Sequence, residues 1–186
     1  MSSKNESPNL IWVDCEMTGL DLNRDVLVEI AVLVTDSELN ILGEGVDLVI
    51  KATPEQLGGM NEFVTNMHTE SGLITEIPNG VEISQAEAEI IAYLEKYAPG
   101  AGKSPLAGNS VGTDRSFIAR DMPLLNTYLH YRTIDVSSIK ELARRWYPRV
   151  YFAAPKKTGN HRALGDIRDS IEELEYYRKA IFIPNN

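Results

Sequence analysis

The chain has 186 residues, 43% of them apolar and 24% charged, with one cysteine and a net charge of −9 from 27 acids and 18 lysines and arginines. That length suits one domain with a self-sufficient core, and the composition excludes a disordered, collagenous or disulfide-stapled chain. The acidic balance argues against tight binding to a long nucleic-acid duplex, whose phosphates must be neutralised by many cations, while leaving room for divalent metals and small anions.

No apolar run approaches the ~20 residues of a membrane helix, and residues 1–9 lack an apolar signal core. A soluble cytoplasmic protein is expected, with a single domain over residues 1–186 and its core between 9 and 182.

In chain order, Leu10–Asp14, Val26–Thr35 and Ile41–Ile50 read as three strands joined by short turns, an antiparallel start. Glu29 interrupts the second strand; a satisfied buried partner and an edge position both fit it. A short helix is expected over Asn61–Thr69. Ser84 with Glu87 three residues on has the form of a capping box. Ile90, Ile91, Leu94 and Tyr97 continue that helix as an apolar stripe, and Pro99-Gly100 ends it. Pro105–Ala107 reads as a buried strand leading into a helix near Thr113–Met122. A short strand at Tyr131–Val136 and a helix at Ser138–Trp146 follow. Arg149–Asn160 reads as an irregular, mobile loop, and a last helix runs from about Leu164 to Ile181. Strands first, then strands alternating with helices, indicate an α/β domain with a mixed sheet and helices on its faces.

The charge is uneven. Lys140–Arg168 holds eight bases and two acids, a local +6 that leaves −15 elsewhere. It reads either as a solvated helix face and loop or as a phosphate-attracting patch.

Asp14 and Glu16, at the end of the first strand, point to one face roughly 6.6 Å apart. Two carboxylates so placed can flank a pair of hard divalent cations, which prefer oxygen ligands. Cys15 points the other way and reads as a small buried apolar residue. Asp114 follows a buried strand, where α/β sheets place ligand sites. Asp166 opens the last helix. His161, five residues earlier on the basic loop, suits a general base. Each feature alone is common: Asp-x-Glu often marks an exposed strand end, and a lone histidine is usually solvated.

Together they are more specific. Asp14 and Glu16, then Asp114, then His161 and Asp166 resemble, in order, the motifs of the DEDDh 3′→5′ exonucleases. The segments 14–20, 108–110, 131–132, 135–137 and 140–146 resemble the oligoribonuclease branch, and the likeness runs from about Asn9 to Phe182. It implies an RNase H-like mixed five-stranded sheet flanked by helices. It implies two divalent cations, Mg²⁺ or Mn²⁺, on Asp14, Glu16, Asp114 and Asp166, with His161 as the base. Leu20 and His68 would wedge and stack terminal bases. Phe63 stands where relatives often carry Trp and would stack with less area.

Ser110, Tyr131 and Arg132 would hold the 5′ phosphate, with Tyr131 reaching the neighbouring subunit of a homodimer. The implied substrates are RNAs of two to five nucleotides, 5′-phosphorylated dinucleotides above all, cleaved to nucleoside 5′-monophosphates. The implied roles are finishing RNA decay and clearing linear dinucleotides from cyclic dinucleotide signalling. A proofreading DNA exonuclease, a tRNA-trimming enzyme and a non-catalytic dinucleotide sensor are the competing readings.

Overall fold

The computed structural model describes residues 7–155 and 162–183. Five strands, β1 (Leu10–Met17), β2 (Leu27–Thr35), β3 (Ile41–Val49), β4 (Pro105–Gly108) and β5 (His130–Asp135), form one sheet in the order β3-β2-β1-β4-β5. β1 to β3 pair antiparallel, and β4 and β5 join parallel to β1. This is the mixed five-stranded sheet expected from the sequence. β1 continues three residues beyond Asp14, so Glu16 lies inside the strand.

Both faces of the sheet are covered, which is why β2 is buried at every position and reads as an apolar run broken only by Glu29 before its terminal Thr35. On one face Ile11, Val13, Ile30 and Val32 pack against Ile90 and Leu94 of α4 (Ile83–Tyr97), Phe117 of α5 (Gly112–Asp121) and Leu125 of α6 (Pro123–Tyr128). On the other, Trp12, Ala31 and Leu33 pack against Ala143 of α7 (Val136–Trp146) and Ile167, Ile171 and Leu174 of α9 (Ala163–Ala180). Side chains alternate along a strand, so Asp14 and Glu16 share the α9 side with Trp12, and Glu29 shares it with Ala31.

The shorter helices α1 (Pro54–Gly58), α2 (Glu62–Glu70) and α3 (Leu73–Glu76) follow β3, and α8 (Pro148–Phe152) follows α7. α8 occupies the start of the segment expected to be an irregular loop; Pro at its first turn nucleates it. The capping box at Ser84 does not form. α4 begins at Ile83 with Glu82 at the N-cap, and Glu87 is turned inward. There its Oε1 accepts the Leu124 and Leu125 N–H groups at 2.7 and 3.0 Å. A tertiary partner, the amide end of α6, has taken the carboxylate that local spacing assigned to α4.

Candidate active site

Asp14, Glu16 and Asp166 each offer a carboxylate oxygen, and these three oxygens lie within 4.8 Å of one another. Two come from β1 and one from the first turn of α9, which packs against β1 and β2. Asp114 approaches from α5, on the opposite side of the strand. It is buried, and its Oδ1 accepts the Cys15 N–H at 3.0 Å. The structure thus gathers three of the four predicted acids into one cluster and fixes the fourth to the backbone between the first two.

The electrostatics follow from this crowding. Burial, then the neighbouring Glu29, Asp166 and Asp114 carboxylates, push Glu16 up to about 8, with Arg162 opposing. Burial likewise raises Asp114 to about 6 against the hydrogen bonds it accepts. Burial, with Asp114 and Asp14 close by, holds the Cys15 thiol well above its usual range, so Cys15 is an inert packing residue, as its place in the strand suggested. Clustered carboxylates that resist joint ionisation are what a cation relieves. An all-oxygen donor set suits a hard divalent ion, so these residues fit the metal the sequence implies.

His68 departs from its expected place. It is 0% exposed, its Nε2 lies 2.9 Å from the Met17 carbonyl, and its Nδ1 sits 4.0 Å from Glu16 Oε2. Among the described residues Nδ1 has no hydrogen-bond partner. A ring with no exposed face cannot stack on a base in this conformation; α2 carries it beneath the site instead. Leu20 and Phe63, by contrast, are 74% and 75% exposed.

The loop bearing Leu20 is held by Asp25, which accepts the Asp21 N–H at 2.9 Å. A side chain at Gly19 would displace that carboxylate, because a Cβ would lie 2.3 Å from Asp25 Oδ2. Ser110 is exposed at a positive φ of 56°, and its N–H donates to Asp135 Oδ1 at 3.0 Å. Tyr131 and Arg132 are exposed at the far edge strand, the guanidinium 5.3 Å from the Tyr131 ring centre. His161 lies outside the described residues.

The basic segment is partly engaged internally. Glu141 pairs with Arg144 and Arg145, Lys140 with Glu173, and Arg162 with Glu29 and Glu76. Fewer of its cations are therefore free to attract a phosphate than the count of eight bases. Two groups beside the site were not assigned from sequence. Asn109 Nδ2 donates to Ser170 Oγ and Glu173 Oε2, tying the end of β4 to α9. Glu29 was visible only as a carboxylate in an apolar strand, a signal that some cation or amide must meet it.

The family model RNase_T, described as Exonuclease, matches residues 11–174. The oligoribonuclease of Streptomyces avermitilis is 62% identical over 175 residues, 94% of this chain and 88% of that protein. That of Cutibacterium acnes is 59% identical over 176 residues, covering 95% and 87%. Among solved structures, the zinc-bound E. coli ExoI–ssDNA complex superposes with a TM-score of 0.73 at 15% identity. The match covers 95% of this chain and 41% of that one, so this chain spans about two fifths of the exonuclease I polypeptide. At that identity the likeness concerns the fold, the RNase H-like fold of these exonucleases. The chain belongs to this exonuclease family, on its oligoribonuclease branch.

Proposed function

We propose that this metal-dependent exonuclease is a 3′→5′ exoribonuclease that degrades RNAs of two to five nucleotides, dinucleotides best, to nucleoside 5′-monophosphates. The observation that carries the chemistry is the convergence of Asp14, Glu16 and Asp166 oxygens within 4.8 Å. Asp114 completes the set of residues that would hold two divalent cations, Mg²⁺ or Mn²⁺. Such ions, when bound, stabilise charge at the scissile phosphate and acidify the attacking water.

His161 takes the proton of that water as its oxygen bonds to phosphorus. The P–O3′ bond breaks, and the leaving 3′ oxygen acquires a proton. Asp14, Glu16 and Asp166 orient the reacting phosphate by fixing where positive charge sits, and the short distance between their oxygens supports that role. Exposed Leu20 and Phe63 supply apolar surface for terminal bases. Ser110 and Arg132 supply donors for a 5′ phosphate. A substrate capped at both ends needs few phosphate contacts, which suits a net charge of −9.

Tyr131 would reach a second copy's site in a homodimer. Its 74% exposure supports a role for the ring in contact with another molecule. Among the described residues no helix is long and apolar enough to cross a membrane. The single buried cysteine fits a reducing compartment, and we place the enzyme in the cytoplasm.

A size ladder of RNA and DNA tests the reading. Mn²⁺-dependent release of mononucleotides from 5′-phosphorylated dinucleotide, lost with EDTA, is expected. Efficient shortening of a long 3′ overhang in preference to dinucleotide would overturn it in favour of a proofreading or trimming enzyme. Binding without turnover would mark a sensor.

A further inference from the structure

Glu29 is fully buried in the middle of the sheet, on the face that carries the acidic cluster, and its Cα pairs directly with that of Glu16 across β1 and β2. Its two oxygens do different things. Oε1 accepts from Arg162 Nε at 2.7 Å, and Oε2 accepts the Ala163 N–H at 3.1 Å. Ala163 is the first residue of α9 and Arg162 its N-cap.

An arginine side chain carries donors only and cannot satisfy the free amides of a helix start. Glu29 supplies that acceptor from another strand. The Arg162 guanidinium then reaches outward, with Nη1 and Nη2 donating to Glu76 Oε1 and Oε2 at 2.9 and 3.1 Å. One arginine thus clamps β2, α3 and the start of α9 together. Asp166 lies in the turn so held, its N–H bonded to the Arg162 carbonyl at 3.1 Å.

We infer that Glu29, with Arg162 and Glu76, is a positioning unit for the cation-binding cluster: it sets the first turn of α9 so that Asp166 meets Asp14 and Glu16. The inference rests on the reading of those acids as cation ligands. The physical reason is geometric. Asp166 is separated from β1 by nearly the whole chain, and helix ends fray unless their amides are satisfied. A terminus with a donor-only side chain at its cap depends on an acceptor from elsewhere. Groups that orient ligands without touching the ion commonly change metal affinity or activity by about 10- to 100-fold when removed.

The test is Mn²⁺ affinity of the full chain without RNA, by calorimetry, together with amide exchange of residues 163–170 and separate kcat and KM values. Glu29→Gln keeps an acceptor for Ala163 but loses the ion pair. It should weaken Mn²⁺ binding on the order of tenfold and lower kcat with KM little changed. Glu29→Ala should do more, on the order of 10²-fold, and speed exchange in the first turn of α9. Glu76→Gln, which releases only the outer half of the clamp, should fall between the parent and Glu29→Gln. Should Glu29→Ala fail to fold, the two glutamine variants carry the test. Mn²⁺ affinity within about twofold of the parent in all folded variants overturns the inference while leaving the proposed function standing. A parent chain that binds no Mn²⁺ overturns the proposed function itself, and the positioning role with it.

Discussion

Asp114 Oδ1 accepts the Cys15 N–H at 3.0 Å, so a carboxylate from α5 is fastened to the backbone between Asp14 and Glu16. An asparagine there can keep this bond through its amide oxygen while losing the negative charge. Asp114→Asn should therefore fold like the parent by circular dichroism yet lose turnover on the order of 10²- to 10³-fold, as for removal of an electrostatic stabiliser. Dinucleotide turnover near the parental rate would remove Asp114 from the proposed set.

For His161 the expectation is kinetic. A histidine base acts only when neutral, so with saturating Mn²⁺ the rate should rise between pH 6 and 8. His161→Ala should cut turnover by roughly 10²- to 10⁴-fold. A parental profile flat over that interval refutes the assignment.

Asp47, on β3, offers a pH test beside Glu29, Arg162 and Glu76. Burial first, then the Glu29 and Glu76 carboxylates, raise it from 3.8 to about 6 in the fold, with Arg162 opposing. A group raised on folding contributes stability that is complete below its unfolded value and lost as pH climbs through its folded one. Between pH 4 and 7 the parent should lose stability from this residue. Asp47→Asn, which never ionises, should melt higher than the parent at pH 8 by up to a few degrees, the difference closing near pH 4. A gap that does not vary with pH contradicts the raised carboxyl.

Glu87 links α4 to α6 through two amide hydrogen bonds. Removing it leaves two amides of α6 without their acceptor. Glu87→Ala should lower stability by about 1–3 kcal/mol, the cost of buried groups losing their partner. Turnover per folded molecule should hold, since the side chain lies on the face away from Asp166. Thermal unfolding with activity measured well below the midpoint separates these outcomes.

Tyr131 is the exposed aromatic of β5. Tyr131→Ala should leave the unfolding midpoint close to parental, because little of the side chain is buried. It should weaken dinucleotide binding by about 1–3 kcal/mol if the ring stacks on or caps the substrate. Sedimentation at micromolar concentration reports the oligomeric state of both proteins; a monomeric parent with unaltered dinucleotide affinity in the variant would remove the shared-site proposal.

Much of this was legible in the residues. β1 to β3 announced themselves as short apolar runs bounded by turn residues, because a strand covered on both faces is a near-continuous apolar stretch that can be read locally. The spacing of Asp14 and Glu16 already placed both on one face. The capping box at Ser84 misled, since a carboxylate three residues into a helix can equally serve a distant amide, and α6 took it. The burial of His68 was not legible in the sequence. Nothing in the residues around it says which face of α2 is turned under the sheet, and that face decides whether the ring meets a base or the Met17 carbonyl.

The sequence by itself determined the fold class, the family and the identity of the acids, because periodicity, motif order and residue chemistry are carried along the chain. Only the tertiary structure decided which acids meet, that Asp114 bonds to the Cys15 amide, and that the stray Glu29 of an apolar strand caps a helix more than 130 positions away. Those are contacts between segments remote in the chain. They are chosen by packing and by the need to satisfy every buried polar group, and no local pattern encodes them.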